Sequence, residues 1–310
     1  MTGSIKLGYA CINQTLSDEE KLATTRNCRK KTFHKNGLEY VGELFKRNIL
    51  TIHRILKWNV KNNIYIYRMS SDIAPWSSEY KLKDLPNWKI LIRLMNEAGQ
   101  YANDNAIRLS FHPGAFTVLA GTNKKTIQKS VKELEVQGEI MDCLLQPRSR
   151  MAKINIHVGG SYGNMAAAAD RWINNSRLLS DAVLSRITLE NDDRGKLYSV
   201  RNLYNLIYTR IGIPIVFDYH HHECHTGGDD EETALHLAAS TWDCKPCTHY
   251  SESAQNEWSE NSDDRNPMFR AHSKFVQNKI NPYGLDIDVV IEAKKKEQAI
   301  MHYRGLYGQE

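Results

Sequence analysis

The stretch KINIHV, residues 153–158, decides the fold because its side chains alternate between polar and apolar. Every second residue from Ile154 is apolar and can pack on helices, whereas Lys153, Asn155 and His157 point to the opposite, interior face. The pattern predicts a strand that carries polar side chains toward the inside of a closed sheet.

Seven further segments have the composition of strands bounded by turns: IKLGYA (5–10), IYIYRMS (64–70), IRLSFH (107–112), RITLEN (186–191), IPIVFDYH (213–220), KPCTHY (245–250) and LDIDVVIEA (285–293). Helical spacing of apolar residues separates most of them, as in 127–145 and in 203–211, where Gly212 and Pro214 form a stop signal. Alternating strands and helices imply parallel pairing through right-handed crossovers. The sequence therefore predicts an α/β fold, a single (β/α)8 TIM barrel over residues 1–310, with long loops at its C-terminal face.

Length and composition agree with one such domain. The chain has 310 residues, and a barrel needs about 250. The formal charge of +5 is compatible with a phosphate-bearing partner and equally with an ordinary, slightly basic protein.

No run approaches the roughly 18 apolar residues of a membrane span, and the start MTGSIKLGYA lacks the apolar core of a secretory signal. We expect an intracellular monomer that has no contact with membranes and whose six cysteines are reduced thiols.

Two long connections interrupt the regular spacing. Residues 11–36 carry a basic group composed of Arg26, Arg29, Lys30 and Lys31, and residues 251–267 are polar and lead into His272. Connections longer than about 15 residues in a compact domain are usually functional or disordered. Both are expected at the C-terminal face, where barrel enzymes place their active sites.

Potential metal ligands recur near the downstream ends of the predicted strands: His112, His157, Glu190, Asp218, His221, His249, His272 and Glu292. Ligand residues that are far apart in the sequence can bind the same metal ion only if the fold brings their nitrogen and oxygen atoms together. A single zinc ion uses about three or four protein ligands, so this set predicts two or three divalent ions with a bridging carboxylate such as Glu190. Neighbouring ions suit phosphodiester hydrolysis, in which one lowers the pKa of a water to give hydroxide and another stabilises the leaving oxygen.

Each residue taken alone has an ordinary interpretation. A lone histidine or glutamate at a strand end is more often hydrogen-bonded than metal-bound. The triplet at 220–222 can be a solvated loop, although behind Asp218 it favours a ligand pair with one bystander. Cys244 and Cys247 form a C-x-x-C that can hold structural zinc, but no second such pair accompanies it. The repetition over six strands favours the shared metal centre.

Motifs in a fixed order across essentially the whole chain resemble the UV damage endonuclease family: GYACINQTL, RILKWN, FHPG, IHVGGSYG, LENDDR, VFDYHHH, AHSKF and IEAKKKEQ. That family is related to endonuclease IV among the sugar-isomerase-like barrels. The resemblance implies a repair enzyme that incises damaged double-stranded DNA on the 5′ side of a photoproduct and leaves a 3′ hydroxyl. It also implies a cluster of divalent ions, commonly manganese, with zinc as the alternative.

The resemblance further implies roles for individual residues. It assigns eight ligands to three ions: His112, His157 and Glu190 to the first, Glu190, Asp218, His249 and Glu292 to the second, and His221 with His272 to the third. The four residues of the second set are the expected catalytic group. Tyr9 and Asn13 match positions at the DNA-facing rim, where planar side chains can stack on displaced bases.

Three positions depart from the family pattern. Ala115 and Phe116 stand where the family usually has Gln-Tyr, side chains thought to probe the lesion. Phe116 can still stack, but Ala115 cannot form a side-chain hydrogen bond, so lesion recognition is expected to differ. Cys247 replaces a usual lysine and is either a soft extra ligand or a small core residue. Asp72 replaces a histidine and keeps a group that can bind a metal or accept a proton.

The sequence thus leads to a metal-dependent endodeoxyribonuclease of the repair type, with the basic loop engaging DNA phosphates. Three alternatives remain on the same barrel. An abasic-site endonuclease or a sugar isomerase would also use metal ligands at the strand ends, although an isomerase needs no cationic rim. A damage-binding protein that has lost cleavage would account for the departures at Ala115, Phe116 and Cys247.

Overall fold

A computed structural model describes residues 3–23, 25–259 and 266–308. The strands are β1 (Ile5–Ala10), β2 (Ile66–Met69), β3 (Arg108–Phe111), β4 (Ile154–Ile156), β5 (Ile187–Glu190), β6 (Ile215–Val216), β7 (Cys247–Tyr250) and β8 (Ile287–Ile291). They form one eight-stranded sheet in the order β6-β5-β4-β3-β2-β1-β8-β7, with parallel neighbours. A parallel bridge between Asp218 and His249 brings the two edges together. The predicted (β/α)8 barrel is confirmed.

The helices are α1 (Gln14–Glu20), α2 (Lys30–Lys61), α3 (Trp88–Asp104), α4 (Lys124–Cys143), α5 (Met165–Ser176), α6 (Asp181–Leu184), α7 (Val200–Leu203), α8 (Thr209–Ile211), α9 (Tyr219–Cys224), α10 (Glu231–Ala239) and α11 (Glu297–Tyr307). The two helices predicted from periodicity are α4 and the run from α7 to α8. A π-helical segment, Tyr204–Tyr208, joins the latter pair, and Gly212 ends it in the left-handed conformation at φ 67°. Glycine enters that conformation without steric cost, which explains the stop signal in the sequence.

The first long connection is more ordered than the sequence suggested. Residues 11–36 were expected to be a connection, but they contain α1 and the beginning of α2. The side chain of Asn13 accepts a hydrogen bond from the backbone N–H of Leu16 and so begins α1. In the second connection, Ala254–Glu257 forms a 3-10 turn, and residues 260–265 lie outside the described residues.

The barrel wall separates an apolar layer from a polar interior. Ile154 and Ile156 are buried on the helix-facing side of β4, as the alternation predicted, while Lys153 and Asn155 are buried inside the barrel. At the end of the barrel away from the strand C termini, Arg108 donates a hydrogen bond of 2.8 Å to Asp288. Buried charges need such partners because an isolated ion is costly to remove from water. The interior is therefore built to hold charged side chains.

Within the described part of the chain, no helix combines the length and apolar character that a bilayer span requires. All six cysteines are free thiols, in agreement with the expectation from their number and spacing.

Candidate metal centre

Glu190 lies at the centre of a group of imidazoles and carboxylates in the barrel mouth, the end at which the strands terminate. It is the last residue of β5 and is fully buried. Its Oε2 atom lies 3.0 Å from Nε2 of His112 and 3.1 Å from Nδ1 of His249. Its Oε1 atom lies 3.3 Å from Nδ1 of His221. One carboxylate therefore faces three imidazoles from separate segments: the residue after β3, the strand β7 and the helix α9.

Three groups of potential ligand atoms form around this carboxylate, and within each group the atoms lie within 4.8 Å of one another. They are His112 with Glu190 and His249; His157 with Glu190 and His221; and Glu190 with Asp218, His249 and Glu292. The last group contains the same four residues that the resemblance assigned to the second ion. The other implied sets are arranged differently, because His157 is grouped with His221 and not with His112.

His272 stands beside the centre and belongs to none of the three groups found among the described residues. Its ring centroid lies 6.3 Å from that of His221, and its Nδ1 lies 2.6 Å from the hydroxyl of Ser251. The resemblance implied that His221 and His272 hold one ion together. In this conformation the two rings are neighbours, but their nitrogen atoms do not belong to one ligand group.

The ligand atoms fit divalent cations. Glu190 Oε1, Asp218 Oδ2 and His249 Nδ1 are buried, and none has a well-aligned hydrogen-bond partner in the described residues. Buried polar atoms are nearly always satisfied, so these unsatisfied oxygen and nitrogen atoms are available to hold a cation. Carboxylate oxygen and imidazole nitrogen are ligands that manganese and zinc both accept.

The pairing of Asp218 with His221 follows from local structure. Asp218 is the N-cap of α9, and its side-chain Oδ1 accepts a hydrogen bond of 2.8 Å from the backbone N–H of His221. This cap uses one carboxylate oxygen and leaves Oδ2 free. The side chain of Asn191 holds the backbone of Asp218: its Oδ1 accepts a hydrogen bond of 2.8 Å from the N–H, and its Nδ2 donates one of 3.0 Å to the carbonyl. The helix start therefore presents one free carboxylate oxygen and one imidazole to the centre.

Burial and neighbouring charges set the protonation of the centre. Burial raises the pKa of Asp218 to about 7, and the charges of Glu190 and Glu292 act in the same direction. Burial lowers the pKa of His249 to about 3. Burial also opposes ionisation of Glu190, but the imidazoles around it lower its pKa. The centre thus favours ionised Glu190 and neutral His249, the forms that bind cations.

His157 is held by an acidic neighbour that the sequence reasoning overlooked. Its Nδ1 lies 3.0 Å from Oδ1 of Asp192, two residues beyond Glu190. Burial opposes protonation of His157, but the charges of Glu190 and Asp192 outweigh it and raise the pKa to about 9. The acidic run in LENDDR was the available signal, since a carboxylate commonly orients a metal-binding histidine.

Two basic side chains contact ligand candidates of the centre, and the sequence did not identify these contacts. Arg68 of β2 donates a hydrogen bond to Oε1 of Glu292, and Nζ of Lys153 lies 2.9 Å from Nε2 of His249. Both contacts are largely shielded from solvent. Burial lowers the pKa of Lys153 to about 8. Alternation had placed Lys153 inside the barrel, but the sequence did not show which ligand it would meet.

Cys247 is buried in a small apolar cluster with Ala10, Ile66 and Val290. It belongs to none of the three ligand groups found within the described residues. Of the two interpretations left open by the sequence, this packing supports the core residue over the soft ligand.

Tyr9 and Asn13 do not lie at an exposed rim, where they were expected. Both are fully buried. The hydroxyl of Tyr9 donates to Asn59 at 2.7 Å and accepts a hydrogen bond of 2.8 Å from Asn13. Because their polar atoms are used within the fold, these residues support the β1–α1 corner and offer no surface for stacking.

The other candidates for DNA contact are more exposed. Phe116 has 93% of its surface exposed, and Ala115 beside it is also exposed. Of the basic group, Arg29, Lys30 and Lys31 are exposed at the start of α2. Arg26 is different, because it is half-buried and donates a hydrogen bond of 3.1 Å to Thr51.

Asp72 is exposed and lies outside the three ligand groups of the described residues. It lines a cavity of about 230 Å³ together with Trp76 and Glu133. Burial raises the pKa of Glu133, and the charge of Asp72 adds to the effect. In this conformation Asp72 therefore faces a neighbouring acid at the rim and not the centre.

Comparison with known proteins gives a consistent assignment. The family model described as UV-endonuclease UvdE matches residues 5–306. The UV-damage endonuclease of Schizosaccharomyces pombe is 33% identical over 306 residues, which cover 95% of this chain and 49% of that protein. The UV DNA damage endonuclease of Clostridium perfringens is 31% identical over 255 residues, covering 80% and 58%. This chain thus spans about half the length of the Schizosaccharomyces pombe relative.

Comparison with solved structures supports the same family assignment. The crystal structure of SacUVDE is similar at a TM-score of 0.82 with 26% identity, covering 99% of this chain and 100% of that one. Endonuclease IV from Thermus thermophilus, at a TM-score of 0.55 and 12% identity over 84% and 95% of the two chains, shares the fold alone. With the family model matched from the first strand to the last helix, the chain belongs to the UV-endonuclease UvdE family.

Proposed function

We propose that this protein is a metal-dependent endodeoxyribonuclease that incises DNA 5′ to UV photoproducts and leaves a 3′ hydroxyl. The observation that carries the proposal is the position of Glu190, which is common to all three ligand groups at the mouth of the barrel. Membership of the UV-endonuclease UvdE family supports DNA as the substrate and UV lesions as the damage.

The chemistry divides between bound ions and the residues of the chain. When bound, divalent ions supply hydroxide at neutral pH and stabilise charge on the reacting phosphate. Glu190, which belongs to all three ligand groups, would hold more than one ion, and Asp218, His249 and Glu292 would complete the catalytic group with it. The number of available ligands supports two or three ions, with manganese as the expected metal and zinc as the alternative.

The rim residues bind and orient the substrate. Arg29, Lys30 and Lys31 are exposed at the start of α2 and contact the phosphate backbone. Phe116 stacks on bases next to the lesion, because its ring is almost completely exposed at the rim. The partner is damaged double-stranded DNA, and the protein acts as a monomer inside the cell, where the DNA is.

A wider lesion range, which includes abasic sites, is a second candidate. It is favoured by Ala115, since a methyl group cannot select among damaged bases by hydrogen bonding and an abasic site offers no base to read. Sugar epimerases share the fold at 13% identity, as in D-psicose 3-epimerase from Clostridium cellulolyticum H10, but this likeness concerns the fold alone.

The decisive experiment compares end-labelled duplexes that contain one defined photoproduct, one abasic site or no damage, each with manganese, zinc or a chelator. We expect nicking 5′ to the photoproduct, a product end that a polymerase extends, and loss of nicking in the chelator. The variant Glu190→Gln is expected to remain folded and inactive. Retained nicking by this variant would contradict the proposal.

The same assay separates the alternatives. Preference for the abasic duplex would favour the abasic-site endonuclease, and conversion of a ketose without DNA cleavage would favour the isomerase. Tight, metal-independent binding of irradiated DNA without any product would favour a damage-binding protein.

A further inference from the structure

Exposed apolar side chains stand on two sides of the barrel mouth. Phe116, which is 93% exposed, follows β3. Met268 and Phe269, which are 67% and 40% exposed, lie in the connection from β7 to β8. In the eight-stranded ring, β3 is four positions from β7, so the two connections leave the barrel from opposite strands. Phenylalanine and methionine are among the side chains that proteins insert between base steps.

The backbone that carries Met268 and Phe269 is held in place, and we call residues 267–271 the Met268 turn. The N–H of Ala271 donates to the carbonyl of Met268 at 2.8 Å and closes the turn. The side chain of Gln255 donates to the carbonyl of Pro267 at 2.8 Å. The N–H of Ala254 donates to the carbonyl of Ala271 at 2.6 Å. Three hydrogen bonds therefore fix a turn whose apolar side chains remain exposed.

Side chains join the same turn to the metal centre. Arg270 forms an ion pair of 3.0 Å with Asp193, which follows Glu190 by three residues. The ring of Phe269 lies 5.9 Å from that of His220, the neighbour of the ligand candidate His221. A side chain that enters a duplex from this turn would therefore lie close to the bound phosphate. Preorganisation of this kind reduces the entropy lost on binding.

We infer that the Met268 turn is a second insertion element, which enters the DNA from the side opposite Phe116. The inference rests on the proposed function and adds to it a second group of side chains that helps to open the duplex at the lesion. Insertion from one side alone pushes the duplex away from the centre. An opposing contact keeps the phosphate over Glu190 while the bases unstack, and burial of Phe269 and Met268 offsets part of the cost of unstacking.

The charge around the turn fits a nucleic-acid partner. Arg270 is half-buried within it, Lys274 is exposed three residues beyond it, and Arg194 is exposed next to Asp193, the ion-pair partner of Arg270. Cations that flank apolar inserting residues match the alternation of phosphates and bases along a strand. The occupant of this surface is thus the damaged duplex.

The test compares a photoproduct in a fully paired duplex with the same photoproduct in a bubble of mismatched pairs. The variants are Phe269→Ala and the double variant Met268→Ala with Phe269→Ala. The matched control is Leu306→Ala, a residue 50% exposed near the end of α11 and remote from the mouth. We expect kcat/KM on the paired duplex to fall about tenfold in the variants, and on the bubble to change by less than about twofold, because the bubble is already unstacked.

Metal content per chain and binding of the paired duplex, followed through 2-aminopurine placed beside the lesion, complete the experiment. We expect unchanged metal content and a smaller rise in 2-aminopurine fluorescence in the variants than in the wild-type protein. Equal loss of activity on both substrates would overturn the inference, as would no loss on either, the result expected if the turn serves a protein partner or a second copy. A wild-type protein that nicks neither substrate would overturn the proposed function, and this inference with it.

Discussion

Arg68 donates a hydrogen bond to Oε1 of Glu292, and the same oxygen lies 3.2 Å from Nδ1 of His249. Oε1 of this carboxylate is therefore occupied by partners from the chain. Oε2 is the oxygen of Glu292 that would remain available to a cation. This arrangement agrees with the presence of Glu292 in only one of the three ligand groups of the described residues, whereas Glu190 belongs to all three.

Replacement of Arg68 by Met is expected to reduce the free energy of unfolding of the chelator-treated protein by about 3 kcal/mol at pH 7, because it leaves Glu292 as a buried charge without its partner. Burial opposes ionisation of Glu292, but Arg68 helps to hold its pKa well below the usual range. The resulting stabilisation is present above the unfolded-state pKa of about 4.3 and is lost as the pH falls through the folded-state value. The difference between variant and wild type should therefore be larger at pH 7 than at pH 4.

Urea unfolding at both pH values measures this difference, with Arg68→Lys as the control that keeps the charge. The lysine variant is expected to lose less stability than the methionine variant, since an ammonium retains the attraction but not the fork geometry. An equal loss at pH 4 and pH 7 would show that Arg68 acts through packing.

Glu190 and Glu292 should differ in their effect on metal content. Glu190→Gln is expected to remove most of the bound manganese, because its carboxylate serves all three groups, while Glu292→Gln should remove about one ion per chain. Elemental analysis of the two purified variants after saturation and desalting provides the measurement. Identical metal content in the two variants would contradict a bridging role for Glu190.

Manganese binding should release more protons at low pH. Burial raises the pKa of Asp218 to about 7, so this carboxyl is mostly protonated at pH 6 and mostly ionised at pH 8. A cation must displace that proton, and we expect about one more proton to be released per chain at pH 6 than at pH 8. Calorimetry in buffers of different ionisation enthalpy counts the protons. The difference should disappear in Asp218→Asn, and its persistence there would exclude Asp218 as the source.

The barrel and the positions of the ligand strands were predictable because they depend on patterns within single segments. The alternation around Lys153 and His157 assigns each side chain to one face of a strand. Parallel strands then bring His112, Glu190 and His249 to the same end of the barrel without any knowledge of loop structure. The family motifs added the expected roles but not the distances.

The contacts between segments were not predictable in the same way. Arg68 and Glu292 are 224 positions apart in the sequence, and their pairing depends on the stagger of strands around the barrel. Asn13 was placed at the rim because of its position in a motif, but its side chain caps α1 and supports Tyr9. The use of a polar atom inside the fold depends on three-dimensional neighbours that no local pattern specifies.

Cys247 provides a final test of whether the centre has an additional sulfur ligand. Its packing with Ile66 and Val290 predicts that Cys247→Ala lowers the free energy of unfolding by about 1 kcal/mol, through loss of buried contacts, and leaves zinc and manganese content unchanged. Cys244→Ala, at a half-buried thiol that precedes β7, is the matched control. Thermal unfolding and elemental analysis give the two readouts. If Cys247→Ala alone binds one zinc ion fewer than the wild-type protein, the thiol is a ligand, and the centre would then prefer zinc because thiolate is a soft donor.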